Sequence, residues 1–224
     1  MKLTIRHRYS FDPGGGLPEL NSPAAWDEVR ARDDVFGLPE TRERWLADAA
    51  ARDDLGRRAE AVVAVARGER AESICSYGVG IALFEQRVAE AAPELALTCT
   101  DFAPRAVERL AAYFREARVV LHDLRVDEPL SADLHVFHRL DTEFSDAEWS
   151  AIFARFHGPV LLLASELVGP RTVARELATL VRSPKATKAG WLRTEDSLRA
   201  LWSATHDDER VEGVDLPTYL LTPR

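Results

Sequence analysis

The chain has 224 residues, 46% apolar and 29% charged, enough for one sizeable core or at most two small domains. No apolar run approaches the roughly 20 residues of a membrane span, and the first residues lack the apolar h-region of a secretory signal, which leaves the cytoplasm as the expected compartment. The net charge of −8 argues against nucleic acid as a partner, the longest basic stretch being Lys185 to Lys188 in SPKATK. In chain order, residues 1–22 carry GGG with Pro13 and Pro18 and read as an irregular arm. From Pro23 to about Arg67 the pattern is helical, with Ser22 as N-cap, Trp26 and Val29 three apart, and Gly68 as the stop.

From Glu72 onward short apolar runs alternate with helical stretches. The runs are ESICSYG, Leu95–Thr100, Arg118–His122, Asp133–His138 and Pro159–Ser165; the helices are Ala82–Ala91, Pro104–Glu116 and Asp146–Phe156. That alternation predicts βαβ units and a parallel sheet. PRTVARELATLVR and RTEDSLRALWSA are also helical in pattern. Two further runs, DERVEGV and PTYLLTP, are joined by only Gly213 to Leu216. So short a link holds no crossover helix, so these strands pair antiparallel. Cys75 and Cys99 each fall inside an apolar run, without metal-ligand spacing, and read as buried thiols.

The chemistry concentrates at strand ends. Ser76-Tyr77-Gly78-Val79-Gly80-Ile81-Ala82 closes the first run of the alternating region and opens a helix. Glycines there let the backbone turn sharply and let a ligand lie against it. Asp101 ends the next run, about twenty positions on, where a carboxylate accepts from both hydroxyls of a ribose; it equally suits a helix N-cap. His122-Asp123-Leu124 follows the third run. Asp123 there can accept from an exocyclic amine and the Leu124 backbone can meet a ring edge, or the segment is a solvated turn.

Together these residues resemble the class I S-adenosylmethionine-dependent methyltransferases, over roughly Glu72 to the C-terminus. Gly78 and Gly80 match the family's GxGxG; Ser76 replaces its preceding acid and Ala82 its third glycine. Asp101 matches the ribose acid and Asp123 the acid beside adenine. The segment from GWLRTEDSLRALWSA to TYLLTPR is similar to the closing helix and reversed hairpin. A nicotinamide or flavin domain would want a small residue where Leu83 stands.

The resemblance implies a doubly wound, mostly parallel seven-stranded α/β sheet with an antiparallel C-terminal hairpin. It divides one compact unit into an N-terminal arm and helical lid (1–70) and a cofactor-binding core (71–224). The cofactor implied is S-adenosylmethionine, contacted by Ser76, Tyr77, Gly78, Gly80, Asp101, Phe102, Asp123, Leu124 and His138. The reaction implied is in-line methyl transfer to a small-molecule acceptor; the alternative is a protein that keeps the fold and binds without catalysis. Proton acceptors are sought just after the fourth strand, in His138, Asp141 and Glu143. Tyr9, Phe11 and Trp26 in the lid, with Trp191 and Arg193 before the closing helix, are further candidates for touching acceptor or cofactor. His135 reads as a core histidine, and His7, His157 and His206 have no nameable partner. Oligomeric state is not legible.

Overall fold

The computed structural model describes residues 2–8, 22–30, 37–182 and 188–224. Tyr9, Phe11, the GGG tract and Lys185 lie outside them. The elements run β1 (Thr4–Arg8), α1 (Pro23–Arg30), α2 (Arg42–Ala50), α3 (Asp53–Gly68), β2 (Ser73–Tyr77), α4 (Leu83–Ala91), β3 (Ala96–Asp101), α5 (Pro104–Tyr113) and β4 (Arg118–Leu121). They continue with β5 (Leu134–His138), α6 (Asp146–Phe153), β6 (Val160–Leu163), α7 (Pro170–Arg182), β7 (Lys188–Arg193), α8 (Glu195–Arg199), β8 (His206–Arg210) and β9 (Thr218–Pro223).

Seven strands form one sheet in the order β4-β3-β2-β5-β6-β9-β8. The first five are mutually parallel, while β9 runs antiparallel to both β6 and β8. The central strands are apolar on both faces because both faces are covered. Ile74, Leu134, Val136, Leu161 and Leu163 meet α2, α3 and α4 on one side. Cys75, Tyr77, Phe137, Val160 and Leu162 meet α6 and α8 on the other. The pleat's period of two thus sorts consecutive residues of one apolar run into two cores. Among the described residues no helix is long and apolar enough to cross a membrane.

Two features depart from the sequence reading. Residues 4–8 are not irregular: β1 pairs antiparallel with β7, Thr4 opposite Arg193 and His7 opposite Gly190. The signal was a five-residue run, TIRHR, with one apolar side chain, and its partner lies far along the chain. Second, α2 and α3 within the expected lid are built into the core. Trp45 is fully buried, 5.2 Å from the Phe114 ring, and its Nε1 donates to the Ile81 carbonyl at 2.7 Å. Arg58 of α3, also buried, donates through Nε and Nη2 to both carboxylate oxygens of Asp215 at 2.8 and 2.6 Å. That pair fastens α3 to the link between β8 and β9.

Candidate active site

The chain leaves β2 toward β3 and β4 on one side and later returns through β5 and β6 on the other. Ligands of doubly wound sheets bind where the order reverses, at the carboxyl ends of the strands. A cleft of about 590 Å³ opens there, bordered by Gly78, Gly80, Asp101, Phe102, Asp123 and His138 among others. That volume lies within the range of small-molecule pockets, about 300–1,000 Å³.

The floor is the 78–82 loop. Gly78 and Gly80 have φ of +63° and +60°, a region that side chains with a Cβ enter only at a cost of about 1–2 kcal/mol. Ala82, at the place of the family's third glycine, adopts the same conformation (φ +52°); the loop keeps its path there with a strained alanine. Asp101 ties the loop to β3: Gly80 N donates to its Oδ2 at 2.8 Å and Ala103 N to its Oδ1 at 3.0 Å. The helix-capping and ligand-binding readings of Asp101 are therefore compatible, since each carboxylate oxygen keeps a further lone pair. Burial pushes Asp101 up, opposed by the charge of Arg30 and by these amide bonds.

Asp123 and Leu124 border the same cleft beyond β4. Burial pushes Asp123 up, but the Arg125 guanidinium, 2.6 Å away through Nη2, overrides it and holds the carboxyl below its ordinary range. Arg125 also lies 5.2 Å over the Phe102 ring. His122 borders the cleft with its Nε2 donating to the Glu128 carbonyl at 2.9 Å.

Ser76 and Tyr77 do not border the cleft, which corrects the expectation that both contact the cofactor. The pleat turns them into the interior on opposite faces. Ser76 Oγ donates to buried Glu85 at 2.7 Å, and burial pushes that carboxyl up to about 7. The Tyr77 hydroxyl accepts from Leu130 N at 3.1 Å, and its ring packs edge-on against Phe137 and Phe156.

The three expected proton acceptors separate sharply. His138 borders the cleft, but its ring lies 4.1 Å from Phe84. Burial, helped by Arg58 and Arg139, pushes it down to about 3, so it is a neutral imidazole and a poor base near neutrality. Asp141 is buried behind the cleft, accepting from Ser165 N at 2.7 Å and Ser165 Oγ at 2.8 Å. Its part is to fasten the 139–145 loop to the end of β6. Glu143 borders the cleft, and burial pushes it up to about 8 against a hydrogen bond from Thr142 and the charge of Arg30.

The opposite wall is the β1–β7 ribbon, which contributes Arg6, His7, Trp191 and Leu192. The Arg6 guanidinium lies 4.2 Å over the Trp191 ring, and Trp191 N donates to the Thr142 carbonyl at 2.8 Å. Arg193 does not border the cleft. It is buried behind the loop, donating to the carbonyls of Asp141 (2.5 Å) and Phe144 (2.7 Å) and to the Asp146 carboxylate (2.8 Å). Arg6, His7 and Arg30 escaped the sequence reading. His7 gains a partner only through the fold, its Nδ1 lying 2.9 Å from the largely buried Glu176 carboxylate of α7. Trp26 borders the cleft, whereas Trp45 does not. His135 sits in the core, pushed down to about 4 by burial.

No family model and no curated protein sequence matches the chain. In structure it is similar to human N-acetylserotonin methyltransferase in complex with S-adenosylmethionine: 17% identity over 91% of this chain and 62% of that one, TM-score 0.60. It is also similar to the mitomycin 7-O-methyltransferase MmcR (14%, 93% and 74%, TM-score 0.58). A third is CalO1, a methyltransferase in calicheamicin biosynthesis, in its S-adenosylhomocysteine-bound form (22%, 68% and 49%, TM-score 0.52). The chain has the Rossmann-like fold of the class I S-adenosylmethionine-dependent methyltransferases. It spans 62% of the length of the first of these proteins and about half of the third.

Proposed function

We propose that this chain binds S-adenosylmethionine in the cleft and transfers its methyl group to a small-molecule acceptor. The observation that carries the reading is the Asp101 bridge: a carboxylate joined to the Gly80 amide, in a loop of left-handed residues, at the point where the strand order reverses. The donor set fits the cofactor. Asp101 accepts from the ribose hydroxyls, Asp123 and the Leu124 backbone meet the adenine edge, and Phe102 packs beside it. His122 Nδ1 and His138 Nε2 are buried without a hydrogen-bond partner among the described residues, and both residues border the cleft.

When bound, the cofactor supplies a methyl on a sulfonium, already a strong electrophile, so the protein mostly contributes position. Gly78 and Gly80 admit the cofactor against the backbone. Trp26, Phe144 and Trp191 wall the remaining space with aromatic surface, which suits a small, largely apolar acceptor and excludes water from the reacting atoms. Glu143 takes the proton from an acceptor hydroxyl and does so in its ionised form, above about pH 8. A second reading, binding without turnover, is favoured by one observation: two of the three expected bases do not serve, His138 being held neutral by burial and Asp141 lying behind the cleft on Ser165. Formation of S-adenosylhomocysteine with a panel of hydroxylated metabolites separates the two.

The binding step is tested by calorimetry with S-adenosylhomocysteine. The wild type gives a binding isotherm, and Asp101→Asn, which keeps the shape but loses the charge, weakens it about tenfold or more. Absence of heat from the folded wild type, or an unchanged affinity in the variant, removes the proposal.

A further inference from the structure

Thr142 stands between the 139–145 loop and the β1–β7 ribbon and serves each with a different atom. Its hydroxyl donates to Glu143 Oε1 at 3.2 Å. Its carbonyl accepts from Trp191 N of β7 at 2.8 Å, and Gly190 lies so close to that carbonyl that no side chain could stand there. Thr142 is 9% exposed, and branching at Cβ restricts its hydroxyl to few rotamers. Glu143 is therefore held by its own chain neighbour, and that neighbour is fixed by the ribbon.

A carboxylate has two oxygens, and the last torsion of a glutamate is broad, so a lone carboxylate has no preferred direction. The threonine hydroxyl supplies one. With Oε1 taken, Oε2 has no hydrogen-bond partner among the described residues, and Glu143 borders the cleft. One oxygen is held and the other is left for the proton of an acceptor hydroxyl. A hydroxyl donor also favours the ionised form, opposing burial, the largest influence on Glu143. Of the charged groups felt there, Arg30 acts in the same sense as Thr142, and Asp141 and Asp101 act against it.

We propose that Thr142 is a positioning residue for Glu143: its hydroxyl turns the carboxylate so that Oε2 meets the acceptor, and its carbonyl makes that orientation depend on the docked ribbon. This rests on the reading of Glu143 as the base given above.

Titration by NMR of protein labelled with carbon-13 at the glutamate carboxyls tests this without an acceptor. Glu85 and Glu143 titrate above the ordinary glutamate range, and Glu85→Gln and Glu143→Gln assign their resonances. Thr142→Val keeps the branched shape and loses the donor. It raises the Glu143 midpoint by about half to one pH unit and leaves that of Glu85 in place. Thr142→Ser restores the hydroxyl and the wild-type midpoint. Gly190→Ala, which presses on the Thr142 carbonyl from the ribbon, moves the Glu143 midpoint as well. An unchanged midpoint in Thr142→Val, or a serine variant displaced as far as the valine one, overturns the inference. An unchanged midpoint in Gly190→Ala overturns its dependence on the ribbon. A wild-type Glu143 that titrates in the ordinary range overturns the inference together with the base assignment, and leaves the cofactor reading to the calorimetry above. Melting curves verify folding, and if Thr142→Val does not fold, Thr142→Ala is read by the same criteria.

Discussion

Glu85 and Glu143 are buried carboxyls whose ordinary value of 4.5 rises to about 7 and about 8, desolvation being the largest cause in both. The sign of the consequence follows from linkage. Below about pH 4.5 folded and unfolded chains both hold these protons. As pH rises from there, the unfolded chain releases them while the folded chain keeps them, so stability falls until the folded groups also ionise. We expect the melting temperature of the wild type to drop between about pH 5 and pH 8, and Glu85→Gln and Glu143→Gln each to flatten part of that slope. A slope identical in both variants would refute the assignment of burial to these two groups. The same residues show what single-letter reading can and cannot reach. The turn at Gly78 and Gly80 and the place of Asp101 at the end of β3 were legible because a left-handed turn and a strand-end carboxylate each need a particular residue type at a particular place on the chain. His138, Asp141 and Glu143 share one loop and one kind of composition, yet one faces a ring, one faces Ser165 and one faces the cleft. That difference is set by side-chain direction, which the sequence does not carry.

The loop from Arg139 to Ser145 is shaped from behind by Arg193. Its guanidinium is 2% exposed and serves two carbonyls and one carboxylate at once. A lysine has the charge but not the planar fork, so it cannot reach all three acceptors. Arg193→Lys should cost about 2–3 kcal/mol through buried acceptors left without donors, a fall of roughly 2–4 °C in melting temperature for each kcal/mol. Thermal denaturation checks this; an unchanged melting point would mean that the loop is held by Asp141 and Ser165 alone. Helices and parallel strands were legible because their periodicities extend over several residues. β1 was not, since five residues with a single apolar side chain, Ile5, make no pattern until β7 is beside them.

At the scale of the whole molecule, the parallel sheet followed from the alternation of apolar runs with helical stretches and the reversed hairpin from the short Gly213–Leu216 link, whereas the strand order came only with the structure. So did the two-stranded ribbon over the cleft, because its contacts are set by packing. Gly190 is where it docks: with φ of +125°, a Cβ there would lie 2.0 Å from the Thr142 carbonyl oxygen. Backbone cannot yield as a flexible side chain does, so Gly190→Ala should lift the ribbon and cost at least about 2 kcal/mol. Limited proteolysis should then cut near β1 faster than in the wild type, while far-UV circular dichroism keeps the signature of the seven-stranded sheet. Equal cleavage rates would show that the ribbon is not anchored at that contact.

Because Thr4 finds its partner at Arg193, we expect the cleft to be assembled in two stages as the polypeptide emerges during synthesis. The glycine loop and Asp101 come together from neighbouring strands early, whereas closure of the ribbon waits for a contact of very large sequence separation, whose loop-closure cost comes before any gain from pairing. A nascent chain paused before Lys188 is therefore expected to carry the glycine-loop floor with one flank open, its aromatic lining facing solvent until translation moves on.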